Sequence, residues 1–334
     1  MSAAGVAALL SHPSRAAGLD TETWTGILCA ARAELLLASL AHRLDGLDLP
    51  DAVQSILDSA RTDVEAGRTE ALWEAEMARR ALGDLGVPVV LLKGTAFVAA
   101  GLDAGQGRNI GDLDILVPRD RLGEVEAALI AAGWEWVKPD PYDDDYYRLW
   151  MHELPPLIHR DRDRMIDVHH TILPPTARPT PDAAALIAAS VPLENGLRVL
   201  CPEDMIVHAA AHLLADGDLA GGLRNLWDID RLLRDFDEEG FAGRLRDRAA
   251  IHRLSREVAR ALRLSKALFA TPVAPTGNRK GNDHMFRARL LARDGWGRPT
   301  RPLLRLMFYI RSHWLRMPPL LLARHLWTKW RKTS

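Results

Sequence analysis

The 334-residue chain is 48% hydrophobic and 26% charged, proportions that allow a sizeable core in one large domain or two modest ones. Its formal net charge of −1 gives no global attraction to polyanions, so extended nucleic acid is not an expected partner. The two cysteines, Cys29 and Cys201, sit in apolar, helix-like sequence, which argues against a disulfide framework and a cysteine zinc site. No apolar run reaches the ~20 residues of a membrane span. The Ala/Gly/Ser-rich start lacks the pattern of a signal peptide, so the cytoplasm is the expected compartment.

From residue 21 to about 44, Trp24, Ile27, Leu28, Leu35, Leu36, Leu40 and Leu44 recur at three- and four-residue steps, which predicts an amphipathic helix. Two more helices are expected before residue 85. Asp51 is a candidate cap for the first, with Val53, Ile56 and Leu57 on its apolar side, and Leu72, Trp73, Met77 and Leu82 mark the second. At Gly86 the pattern changes. The apolar run from Val87 to Leu92, ending at Lys93-Gly94, reads as a buried strand opening into a turn.

A short helix over 95–101 and a glycine-rich loop over 105–111 lead to a second strand, Asp112-Leu-Asp-Ile-Leu-Val117, stopped by Pro118. A helix over 122–132 closed by Gly133 follows, then a short strand near 134–137 and a hairpin pairing 154–159 with 165–169. After a Pro-rich break at 174–181 the expected elements are helices at 203–215, 223–236 and 253–269. Residues 276–283 read as a polar loop.

Strand alternation sends Asp112 and Asp114 to one face and Leu113 and Ile115 to the other. Two adjacent carboxylates repel unless a cation neutralises them or one takes a proton. Following a glycine-rich loop, the pair suits Mg²⁺, a hard ion commonly shared with substrate phosphates. An isolated D-x-D is short and common, and its plain reading is a strand start with an exposed acid. The combination with Lys93-Gly94 carries more, because a glycine turn admits a phosphate to the backbone and the lysine supplies positive charge. Arg108 is a candidate for the same phosphates, or a solvated loop arginine. Asp167 provides a third carboxylate between Ile166 and Val168, and His169 shares its face.

The succession Leu91-Leu-Lys-Gly94, Arg108, Gly111-Asp-Leu-Asp-Ile-Leu-Val117 and Ile166-Asp-Val-His169 resembles an uncharacterised bacterial nucleotidyltransferase family, a divergent branch of the DNA polymerase β superfamily whose core reads KG, R, GDxDLLV and DxH. His208, His212, Arg224 and Asp228 match that family's later helical region. The resemblance implies metal binding by Asp112 and Asp114 with Asp167 completing the triad. It places Lys93, Gly94 and Thr95 in the superfamily's phosphate-binding turn. There the chain departs from the pattern, with a lysine before the glycine and Thr95 for the usual serine.

The implied reaction is Mg²⁺-dependent transfer of a nucleoside monophosphate, with Mn²⁺ as an alternative ion, from a nucleoside triphosphate to a hydroxyl or phosphate of a small molecule or peptide. Members occur beside genes for polysaccharide export or ribosomally made peptides, which implies a biosynthetic acceptor. The fold expected is α+β: a small mixed sheet forming the nucleotidyltransferase core at 86–175, between helical regions at 1–85 and 176–273, with a loop and basic aromatic helices at 274–334. A rival reading keeps the same fold as a non-catalytic binding module for a biosynthetic partner. Retention of all three acids speaks against it.

His208 and His212, four apart on one helix face, lack the glutamate of a zinc peptidase, and a packed pair is the plainer reading. Arg224 and Asp228 have ion-pair spacing and, with His169, are accessory site candidates. The end of the chain, from Arg287 to Lys332, is basic with a single acid, Asp294, and with Trp296, Phe308, Trp314, Trp327 and Trp330 interleaved. Weak membrane-surface contact is one reading, and a solvated face packed on the domain is the other.

Overall fold

The computed structural model describes residues 2–137, 147–148, 150–273 and 281–316. Residues 276–280 of the expected polar loop, together with Trp327 and Trp330, lie outside them. Helices α1 (Ser2–Ser11), α2 (Thr21–Ala33), α3 (Leu37–Arg43) and α4 (Asp51–Leu82) precede the first strand. The Asp20 carboxylate starts α2 by accepting from Thr23 N at 2.7 Å. The single helix expected over 21–44 is two, because α2 ends in a Schellman turn. Leu36 N donates to Ala31 O, Leu35 N donates to Arg32 O, and Leu35 takes φ 54°.

The two helices expected before residue 85 are one. The buried apolar stripe of α4 is Val53, Leu57, Ala60, Val64, Ala71, Ala75, Ala78 and Leu82, with Glu74 buried among them. Its middle is carried by alanines, which give a weak hydrophobic signal yet admit close packing. Trp73, expected on the apolar side, is 55% exposed. Asp51 opens the helix without a side-chain cap bond.

A seven-stranded mixed sheet follows. In chain order the strands are β1 (Val90–Leu91), β2 (Leu113–Leu116), β3 (Trp134–Trp136), β4 (Leu157–His159), β5 (Met165–His169), β6 (Val191–Pro192) and β7 (Arg198–Val199). Their spatial order is β3-β4-β5-β2-β1-β7-β6. The protein is therefore α+β. Strands β6 and β7 were not expected, since two-residue strands carry no period of their own.

At the centre, β2 runs antiparallel to β1 and parallel to β5. Every residue of β2 is buried, as befits a strand covered on both faces. Helices α5 (Lys93–Ala99) and α6 (Leu122–Ala131) leave the sheet after β1 and β2. The loop between α5 and β2 is pinned at Gly107, with φ 64°. A Cβ there would lie 2.5 Å from Ala38 O and Ser39 N of α3, so only glycine fits.

The later part of the chain supplies α7 (Ala183–Ala188), α8 (Pro202–Ala211), α9 (Gly222–Asp235), α10 (Phe241–Ile251), α11 (Ser255–Phe269), α12 (Asp283–Leu290) and α13 (Pro302–Arg316). The helix expected over 253–269 thus begins at Ser255. A π-helical turn, His212–Asp216, extends α8 and is braced from α13 by Arg311 Nη2, which donates to Leu214 O at 2.7 Å. Phe308 of α13 is buried, while Leu303 on its other side is 81% exposed.

Candidate active site

Register builds the centre of the site. In the parallel β2–β5 pair Asp114 lies opposite Asp167, so their side chains leave the same face side by side. Strand β1 ends next to them, with Leu92 N donating to Asp114 O at 3.0 Å. The next residue, Lys93, has φ 51°, an unfavourable conformation for a side-chain-bearing residue. From this bend Lys93 Nζ donates to Asp114 Oδ1 at 2.6 Å. His169 Nε2 meets the same oxygen at 3.0 Å.

The electrostatics follow from these contacts. Burial works to raise the Asp114 pKa, but the Lys93 charge and the His169 contact outweigh it and hold the carboxyl well below the usual range. Asp167 goes the other way. Burial, followed by the like charges of Glu153 and Asp114, pushes it up to about 7. Its Oδ1 is buried without a hydrogen-bond partner. Asp112 stands exposed just before β2, with its pKa raised by partial burial and by Asp114.

One ligand atom from each of Asp114, Asp167 and His169 lies within 4.8 Å of the others, and the same holds for His152, Glu153 and His169. Asp112 belongs to neither group, and neither do His170, His208 and His212. His152 and Glu153 escaped the sequence reading. They sit in no periodic segment, and only the pairing of Glu153 with His169 in an isolated antiparallel bridge brings them in.

Beside the carboxylates opens a narrow cleft lined by Lys93, Phe97, Arg108, His208, Ala209, His212, Arg224, Asn225 and Asp228. Motif residues that are distant in sequence thus share one wall. Arg108 is buried, with Nε 3.1 Å from Asp228 Oδ2 and Nη1 donating to Asn109 O at 2.9 Å. The guanidinium is thus tied to protein by one hydrogen bond and an ion contact, with Nε itself buried without a hydrogen-bond partner. Arg224 Nη1 lies 3.8 Å from the same Asp228 oxygen.

Gly94 makes this packing fit, because a Cβ there would stand 3.1 Å from Ile110 Cγ1 and 3.4 Å from Arg108 Cγ and Cζ. Thr95 is buried with Oγ1 unpartnered. It faces a smaller recess shared with Gly111, Asp112 and Arg164. Burial and the nearby Lys93 charge depress the His208 pKa well below its ordinary value, so that ring is neutral at pH 7.

A carboxylate pair on a mixed sheet, with a lysine at its elbow and a basic cleft alongside, is an arrangement that could hold a metal ion and an anionic ligand. The chain belongs to the family described as uncharacterised nucleotidyltransferase, whose model matches residues 20–270. Membership gives it a general nucleotidyl-transfer role with a nucleoside triphosphate as substrate. No curated protein matches the chain.

The residues present fit the divalent cation that such transferases use. Two carboxylates converge, one keeps a buried oxygen without a partner, and among the described residues the Lys93 and His169 contacts to the Asp114 carboxylate both fall on Oδ1. A pH dependence follows. Because the folded protein holds the Asp167 proton up to about pH 7, the unfolded chain releases it first as pH rises. The contribution of Asp167 to stability therefore declines between about pH 4 and pH 7 and levels off above.

Asp167→Asn removes that contribution. The variant should gain on the wild type through this window when both are unfolded by denaturant in chelator. A divalent cation held by Asp167 would require its charged carboxylate, so any such affinity, measured by calorimetry, should strengthen up to about pH 7 and then plateau.

Proposed function

We propose that the chain moves a nucleoside monophosphate from a Mg²⁺-bound nucleoside triphosphate to a hydroxyl or phosphate of a small molecule or peptide, releasing pyrophosphate. The observation that carries this reading is the side-by-side placement of Asp114 and Asp167 at the bend that bears Lys93. Asp114 and Asp167 would hold the ion. Asp112, exposed and one alternation from Asp114, would join them by side-chain rotation. The bound cation supplies neutralisation of charge on the phosphates and orients the reacting phosphorus.

Lys93 is a side chain with two destinations. It neutralises Asp114 in the free protein, and with a cation on the carboxylates its ammonium would turn to the phosphates in the adjoining cleft. Asp167, with a carboxyl near pH 7, suits acceptance of the acceptor hydroxyl's proton as well as ion binding. Arg108 and Arg224 keep the cleft positive, although Asp228 holds Arg108 in place. Positioning and charge neutralisation would provide most of the rate.

The test is to incubate the protein with each nucleoside triphosphate labelled at the α-phosphate, Mg²⁺ and a host-cell extract. The label should pass to one acceptor, with stoichiometric pyrophosphate. Nucleotide binding without label transfer to anything in the extract would favour a binding module instead.

A further inference from the structure

We propose that His152, Glu153 and His169 form a second cation site, distinct in chemistry from the Asp114–Asp167 pair and suited to a borderline transition ion of the Zn²⁺ class. The donors are two imidazoles and one carboxylate, whereas Mg²⁺ prefers oxygen alone. Glu153 Oε2 lies 3.3 Å from His169 Nδ1 and 3.8 Å from His152 Nε2. Ligands about 2.0–2.2 Å from a tetrahedral Zn²⁺ stand about 3.3–3.6 Å from one another, so the three donors need only small shifts to close on an ion.

Two further observations point to a ligand. His169 is 2% exposed, and its Nδ1 has no hydrogen-bond partner despite facing Glu153. In the tautomer whose Nε2–H donates to Asp114, Nδ1 presents a lone pair to a carboxylate oxygen, an arrangement that a cation between them resolves. The Asp114 contact is itself the hydrogen bond that metal-bound histidines make through their other ring nitrogen. The His152 ring lies beside His169, centroids 5.2 Å apart, and burial keeps it neutral and able to ligate at pH 7. Three protein donors leave a fourth position open, as in zinc sites that take a water or a substrate oxygen.

Co²⁺ alone, titrated into chelator-treated full-length protein, is the probe. The expected result is one equivalent bound with the intense visible absorption of a four-coordinate ion. The signal should be undiminished by millimolar Mg²⁺ and retained in Asp167→Asn. Glu153→Gln, which preserves volume, and His152→Ala should each weaken Co²⁺ binding tenfold or more.

Circular dichroism and melting curves check that the variants fold. If His152→Ala does not, Glu153→Gln decides alone. An absorption unchanged in Glu153→Gln, a weakly absorbing six-coordinate spectrum, or competition by Mg²⁺ would overturn the assignment. Retention of the signal in Asp167→Asn separates this site from the nucleotidyl-transfer reading, because that variant disables the carboxylate pair and leaves the three donors intact.

Discussion

Asp114→Asn and Asp167→Asn are each expected to lower nucleotidyl transfer by on the order of a hundredfold or more, the scale of losing a principal electrostatic stabiliser. The two should differ in how the loss divides. Asp114 is the shared acceptor of Lys93 and His169, so its amide variant loosens both partners and, on the proposed function, would remove a cation ligand. Nucleotide binding should fall along with turnover. Asp167→Asn leaves the Lys93 contact in place and should cut kcat more than KM if it chiefly activates the acceptor. Asp112→Asn, at an exposed position outside the converged group, should cost less than either. Pyrophosphate release with an identified acceptor gives these constants, and wild-type rates in the Asp114 and Asp167 variants would remove the catalytic assignment.

Arg108→Met is expected to destabilise the protein by about 3–5 kcal/mol, because it leaves the buried Asp228 carboxylate without the guanidinium 3.1 Å away. That corresponds to a fall in melting temperature of about 4–7 °C for a chain of this length. Arg224, at 3.8 Å, compensates only in part. Adding Asp228→Leu should recover most of the stability, since an apolar pair of similar volume avoids the desolvation cost. It should not recover transfer if the positive charge of Arg108 acts on phosphates in the cleft. Full recovery of both by the double variant would make the pair purely structural.

The core of the fold was legible where a strand or helix had a strong period. Residues 113–116 and 165–169 read as strands because apolar residues flank the acids, and Gly133 marked the end of α6. The stretch over 21–44 read as one helix because the bend at Leu35 depends on a backbone conformation that leucine does not advertise. The stretch over 51–82 read as two because alanines carry the buried stripe of α4. Strands β6 and β7 left no trace, being too short to show alternation.

What the sequence by itself determined is the chemical inventory. It holds carboxylates at alternate positions on apolar strands, a lysine–glycine turn before them, and arginine and histidine at helical spacing later on. Local periodicity settles which face each side chain takes, and that is a property of a few neighbouring residues. Only the tertiary structure decided that Asp114 stands opposite Asp167, since strand order and register arise from packing between segments some fifty residues apart. It also decided that Arg108 spends its charge on Asp228, that Asp112 stays at the rim, and that Glu153 and His152 come up to His169. Those contacts join residues with no shared period, and burial, which sets their charges, exists only once the chain has closed around them.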